Sequence, residues 1–230
     1  MKYEKVIRAQ FVDRPNRFIA HALLDGKTVT CHVKNTGRCR ELLVPGAEIW
    51  LSDERSNPNR KTPFDLIAVK KGERLINMDS QAPNKAAAEL LSRLYPDAVI
   101  TAERTVGESR IDFCVESTSE DGKSEKRYVE VKGVTLEKDG VAMFPDAPTE
   151  RGVKHLETLA DCVKTGLSAS VLFIIQMEGV LKFQPNRETH PAFADKLREV
   201  SERGVDIWAY DCTVTPDTMT ARAPVPAELC

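Results

Sequence analysis

The sequence predicts a chain of two folds: a small β-barrel over residues 1–83, then an α/β domain with a mixed sheet over residues 84–230. Three observations predict it. The first 80 residues break into short alternating runs separated by turn residues. After QAPN the apolar period lengthens to that of a helix. The charge balance also changes sign at that point: residues 1–83 hold 15 Lys/Arg against 10 Asp/Glu, or +5, and the remainder hold 18 against 25, or −7. A basic module joined to an acidic one suits a polyanion partner for the first and metal chemistry for the second.

The barrel strands are expected in KVIRAQFVDR, RFIAHALLDG, KTVTCHVKN, AEIWLSDE and FDLIAVKKGERLINM, with DGK (Asp25 to Lys27) as a hairpin turn. About five strands in 80 residues without a long helical period fit an OB-like barrel, an architecture that binds single strands, oligonucleotides or oligosaccharides. In the second domain NKAAAELLSRL reads as a helix with Asn84 as its cap and Ala88, Leu91 and Leu94 on its apolar face. Three strand-like runs follow, AVITAERTV, SRIDFCVES and RYVEVKGVTL, the last two joined by the polar turn SEDGKSEK. TERGVKHLETLADCVKTG places Val153, Leu156, Leu159, Ala160 and Val163 on one helical stripe. SASVLFIIQM is apolar on both faces, as a buried central strand must be. PAFADKLREVSERG is a third helix, VDIWAYDCTV a last strand, and ARAPVPAELC a tail.

Bulk composition narrows the function classes. Apolar content of 41% and charged content of 30% in 230 residues describe an ordinary globular chain. No apolar run approaches the roughly 20 residues a membrane helix needs, and the charged N-terminus lacks a signal-peptide core, so a cytoplasmic location without membrane partners is expected. The six cysteines form no CxxC pair, which argues against a zinc knuckle, and reduced thiols are expected. A homo-oligomer remains open.

The chemistry concentrates in YVEVKG, Tyr128 to Gly133. On a strand, Tyr128, Glu130 and Lys132 share one face and Val129 and Val131 the other. Seventeen residues separate Asp112 in SRIDF from Glu130, a spacing that a hairpin brings side by side. Two adjacent carboxylates repel, and a divalent cation satisfies both. Mg²⁺ or Mn²⁺ held by Asp112 and Glu130 would leave room for water and a phosphate, with Lys132 orienting the water or stabilising developing charge. The plain alternative is a cross-strand ion pair on a wet sheet face.

Asp112, Glu130 and Lys132 on a hairpin between helices resemble the PD-(D/E)xK nuclease core. The whole chain resembles the sugar fermentation stimulation protein A family, through RFIAHALLDG, HVKNTGRCRELLVPGAEIWL, NRKTPFDL, SRIDF, YVEVKGVTL and FPDAPTERGVKHL. The resemblance implies an OB-like domain that binds DNA and a restriction-endonuclease-like α/β domain in which Asp112, Glu130 and Lys132 occupy the catalytic positions. Arg110 and Ile111 stand where that superfamily often has a proline. Family members are described as nonspecific DNA binders connected with regulation of sugar metabolism, so a non-catalytic DNA-binding regulator is the alternative to a metal-dependent nuclease.

Further candidates surround this set. Glu89, on the first helix, is a candidate third carboxylate or a solvated Glu. Arg151 and His155, four apart with Lys154 nearby, could grip a phosphate or form an ordinary polar helix face. In the barrel, His32, Lys34, Asn35, Arg38, Arg40, Arg60 and Lys61 are candidates for neutralising DNA phosphates, with NTGR pointing first to Asn35 and Arg38. Phe18 and Trp50 are either stacking platforms for bases or barrel core.

Overall fold

A computed structural model describes residues 1–35, 37–118 and 122–229. The barrel is built from β1 (Val6–Asp13), β2 (Ile19–Leu24), β3 (Lys27–Val33), β4 (Glu48–Asp53) and β5 (Phe64–Lys71), with β6 (Arg74–Asn77) added at the edge of β5. Parallel pairing of β3 with β5, Cys31 opposite Phe64 and Val33 opposite Leu66, closes the five strands into the OB-like barrel the sequence predicts. Alternate residues fill the interior, among them Phe11, Ala22, Ile49, Leu51 and Leu66. At DGK both Asp25 (φ 49°) and Gly26 (φ 74°) are left-handed, as a two-residue hairpin turn of matching twist requires. The run expected as one strand from Phe64 to Met78 is two, divided at Gly72.

The second domain follows as α1 (Ala82–Leu94), β7 (Val99–Val106), β8 (Ser109–Thr118), β9 (Ser124–Val134), β10 (Leu136–Lys138), β11 (Val141–Phe144), α2 (Glu150–Lys164), β12 (Ser168–Ile175), β13 (Lys182–Pro185), α3 (Pro191–Glu202), β14 (Asp206–Val214) and β15 (Met219–Pro224). Its mixed sheet runs β15-β14-β12-β9-β8-β7, with β12 parallel to both β9 and β14. On one face Ala86, Ala87, Leu90 and Leu91 of α1 pack against Phe113, Val129, Val131, Leu172 and Ile174. On the other, Leu156, Leu159 and Phe193 of α2 and α3 pack against Val171, Phe173 and Ile175. Because successive residues of β12 serve opposite layers, its sequence is apolar throughout.

Three expectations need correction. α1 begins at Ala82 with Pro83 in its first turn, so Asn84 is inside the helix rather than its cap. A proline fits a first turn, where its missing N–H costs nothing. The buried stripe is therefore Ala82, Pro83, Ala86, Ala87, Leu90 and Leu91, and Leu94 is left exposed. The expected tail is partly β15, which turns Met219 and Ala221 inward against β14; Pro224 is tolerated at the end of an edge strand. The small sheet β10-β11-β13 had no expectation.

Of the turn SEDGKSEK, Ser119, Glu120 and Asp121 lie outside the described residues, as do Thr36 of NTGR and Cys230. The antiparallel pairing of β8 and β9 on either side of that turn is present. Cys31, Cys39, Cys114, Cys162 and Cys212 are free and buried. No helix among the described residues is long and apolar enough to cross a membrane.

The two folds share their packing. A single apolar cluster contains Ala9, Ile49 and Met78 from the barrel side and Val134, Phe173 and Phe183 from the α/β side. Across the junction Gln176 Nε2 donates to Asn77 O, Asn77 Oδ1 and Asp79 O, each at 3.1 Å. Glu137 accepts from Lys71 at 2.9 Å and pairs with Arg74 at 2.9 Å.

Candidate nuclease site and basic groove

The hairpin positions the carboxylates by coming apart. The β8–β9 ladder runs from Thr118–Ser124 to Phe113–Val129 and has no pair beyond it. Past that point the N–H of Val131 donates instead to Asp112 Oδ2 at 2.8 Å, and Asn84 Nδ2 reaches from α1 to Oδ1 at 2.9 Å. Opposite Asp112, Glu103 adopts φ 56° and drops out of the β7–β8 pairing. The side-chain alternation changes over at this break, since Ile111 joins the cluster beneath α2 while Phe113 joins the one beneath α1.

On β9, Val129 and Val131 anchor the strand under α1, and Glu130 turns the other way toward α2. Glu130 is 2% exposed. Its Oε1 accepts from Lys132 Nζ at 2.7 Å and makes a short hydrogen bond with His155 Nδ1. Its Oε2 is buried with no hydrogen-bond partner. Burial raises the Glu130 carboxyl, yet the His155 hydrogen bond and the Lys132 charge outweigh it and hold the group below its ordinary value, hence ionised. Asp112 is raised, first by burial and then by the Glu130 charge, against the help of the Val131 N–H, Asn84 and Lys132. Two close acids, one with a bare buried oxygen, form a donor set suited to a hard cation. Gly133 ends the motif because space ends there: a Cβ would lie 2.6 Å from Gln176 Oε1 and 2.6 Å from Pro83 Cγ.

Asp112, Glu130 and Lys132 thus come together, and two other expectations do not hold. Glu89 does not join them, its Oε2 being bound at 2.9 Å to the N-terminal ammonium of Met1. Among the described residues no group of three or more His, Cys, Asp and Glu is arranged to hold a metal. His155 is not a phosphate grip: it is buried against Glu130, and Arg151 Nε donates to its Nε2 at 3.3 Å. Lys154 pairs with Glu108 at 2.9 Å, away from Glu130. What sequence reasoning missed on α1 is Asn84 as the partner of Asp112.

In the barrel a groove of about 620 Å³ is lined by Arg14, Arg17, Arg38 and Arg40, with Phe11, Leu43 and Ala147 among its other walls. Arg38, Arg40 and Arg17 are exposed. Arg14, which had not been singled out, clasps the groove's edge by donating to the carbonyls of Asn35 (2.7 Å), Gly37 (3.0 Å), Arg38 (3.0 Å) and Arg17 (2.7 Å). The signal was available in VDRPNRF, two arginines around a Pro-Asn turn. Asn35 shapes this loop, its Oδ1 accepting from the N–H of Gly37 at 2.8 Å. Gly37 packs so closely on Asp146, in the segment leading to α2, that a Cβ would lie 2.0 Å from Asp146 Oδ2.

His32 and Arg60 lie elsewhere, gathered with Lys34 around the buried Asp65. Burial and the Arg60 and Lys34 charges lower the His32 pKa. Lys61 is exposed on the loop before β5. Phe18 is 51% exposed with Arg17 5.9 Å over its ring, so it is not barrel core, and Trp50 is half-buried.

Comparison with known proteins agrees with this architecture. The family model "SfsA N-terminal OB domain" matches residues 12–78 and "Sugar fermentation stimulation protein RE domain" matches residues 81–218. A sugar fermentation stimulation protein homolog of Clostridium beijerinckii is 51% identical over 96% of this chain and 97% of the relative. One from Desulfitobacterium hafniense is 53% identical over 96% and 95%. Among solved structures, Pyrococcus furiosus SfsA in complex with Ca²⁺ aligns with a TM-score of 0.84 at 27% identity, covering 99% of this chain and 98% of that one. With the barrel, the mixed sheet and near-complete alignment to such relatives in agreement, the chain belongs to the sugar fermentation stimulation protein family.

Proposed function

We propose that this chain binds DNA along the arginine groove of its barrel and hydrolyses phosphodiester bonds at a divalent-cation site formed by Asp112 and Glu130. The observation that carries this reading is Glu130 Oε2, an ionised, buried oxygen without a donor, beside a second carboxylate whose proton affinity it raises. Lys132 and His155 both engage Oε1, so Oε2 is a buried acceptor left without a donor, a costly arrangement that a bound cation would relieve. Mg²⁺ or Mn²⁺ is the partner of suitable chemistry, and the Pyrococcus furiosus relative, described in complex with Ca²⁺, supports hard-cation binding in the family.

A cation held by Asp112 and Glu130 would supply Lewis acidity toward the phosphate and a bound water more acidic than bulk water. The chain's own residues do the rest. Asn84 and the Val131 N–H fix the Asp112 carboxylate, one donor on each oxygen. Lys132 sets a cation beside Glu130, placed to orient the water or take up developing negative charge. Arg17, Arg38 and Arg40 neutralise backbone phosphates, which gives salt-sensitive affinity with little base selectivity. Acting on DNA, such a protein works in the cytoplasm.

The test is incubation of purified protein with single- and double-stranded DNA in Mg²⁺, Mn²⁺ or EDTA. Metal-dependent scission lost in Asp112→Asn and Glu130→Gln is expected; scission that survives both substitutions sinks the assignment. One observation favours the non-catalytic DNA-binding regulator as a second reading: among the described residues no group of three or more His, Cys, Asp and Glu is arranged to hold a metal. That reading requires metal-independent DNA retardation and no scission under any condition.

A further inference from the structure

We propose that His155 is the positioning residue that aims Glu130 at its cation, and that Arg151 keeps it in the form able to do so. The inference rests on the reading of Glu130 as a metal-binding carboxylate. It starts from an asymmetry: both side-chain donors to Glu130, Lys132 Nζ and His155 Nδ1, fall on Oε1, and none falls on Oε2. The terminal torsion of a glutamate is soft, so something must fix which oxygen faces the site. Lys132 cannot, because a flexible four-carbon stem would follow either oxygen as the carboxylate turned. His155 can, because its ring is 5% exposed on α2, a helix whose start is fixed by Thr149 Oγ1 accepting from the N–H of Gly152 at 3.0 Å.

Arg151 selects the tautomer. A guanidinium Nε–H only donates, so His155 Nε2 must accept, and the ring carries its proton on Nδ1, where it faces Glu130. The order Arg151, His155, Glu130 is a chain of donors that ends on Oε1 and leaves Oε2 free. Arg151 is itself exposed, and no other hydrogen-bond or ion-pair partner holds it among the described residues.

Mn²⁺ binding without DNA, read by titration calorimetry and by the paramagnetic resonance of free Mn²⁺, tests the chain of donors independently of cleavage. His155→Ala is expected to weaken Mn²⁺ about 10–100-fold, the effect typical of losing a residue that orients a metal ligand. His155→Asn, whose amide N–H stands where Nδ1–H stood, is expected to recover most of that loss. Arg151→Met is expected to weaken Mn²⁺ several-fold in the wild-type background and not at all in His155→Asn, which has no tautomer to select. If His155→Ala does not fold, the Arg151→Met comparison in the two backgrounds decides alone. Unchanged affinity in folded His155→Ala, or an equal Arg151→Met loss in both backgrounds, overturns the proposal. Failure of the underlying reading looks different: wild type binds no Mn²⁺, or Glu130→Gln binds it as well as wild type, and the proposal then falls with it.

Discussion

Asp65 and Glu130 are two of the carboxylates buried among charged neighbours, and they answer that burial in different ways. Asp65, in the barrel, is 1% exposed and faces Lys34, Arg60 and His32, with Lys34 also 3.5 Å from Asp79. Its negative charge is matched. Glu130, in the α/β sheet, has one cation, Lys132, and a hydrogen bond with His155, with the carboxyl of Asp112 nearby. Each acid keeps one buried oxygen without a hydrogen bond, Asp65 Oδ2 and Glu130 Oε2; Lys34 Nζ lies 2.8 Å from the first, whereas among the described residues no cation pairs with the second. A buried acid is therefore a poor marker of a site by itself, and the balance of charge around it is what separates a strut from a receptor.

Substitutions can break that contrast. The largest effect is expected for Glu130→Gln, which should abolish Mn²⁺ binding in a calorimetric titration and leave the protein folded. Asp65→Asn should do the reverse. It leaves Arg60 and Lys34 facing an uncharged amide and costs about 3–5 kcal/mol, a fall in Tm of roughly 6–20 °C, with Mn²⁺ affinity retained. Loss of Mn²⁺ binding in a folded Asp65→Asn protein would break the distinction.

A smaller effect belongs to Glu137, a matched acid at the junction. Burial raises its carboxyl, but Lys71, the Gly140 N–H and Arg74 outweigh this and bring it to about 2. A depressed carboxyl stabilises the fold fully above the unfolded value of 4.5, and that contribution is lost as pH falls toward 2. Glu137→Gln should therefore remove about 1–3 kcal/mol at neutral pH and flatten the acid limb of a stability-against-pH curve. In the groove, Arg38→Ala and Arg40→Ala should each reduce the salt slope of DNA binding by about 1 without changing sequence preference, as measured by anisotropy from low to moderate salt. Smallest of all, Glu89→Gln should leave Mn²⁺ affinity unchanged and move stability by no more than about 0.5 kcal/mol.

The parts legible in the sequence were those written in short periods. The unbroken apolar run of β12 announced a strand covered on both sides, DGK announced its turn, and the Asp112, Glu130, Lys132 spacing announced the hairpin. What could not be read depended on how elements rest on one another. Arg151 and His155 share a helix face in any wheel, but only the seating of α2 over β9 gives the imidazole Glu130 in place of a phosphate. Pro83 moved the start of α1 and turned its face, so Asn84 met Asp112 and Glu89 met the N-terminus. Asp65 stands as a lone acid within FDLIAVKK, a strand otherwise apolar up to its lysines, and the cations that surround it come from two other stretches of chain, which no local pattern reveals.

The apolar cluster common to both folds has a consequence for how the chain can come apart. Detaching the barrel would uncover Val134 and Phe173 on one side and Ile49 and Met78 on the other, surface that neither half has polar groups to cover. Two recognisable architectures are thus thermodynamically one: they should melt in a single transition, and a cut between residues 78 and 82 should yield two aggregating fragments instead of two smaller proteins.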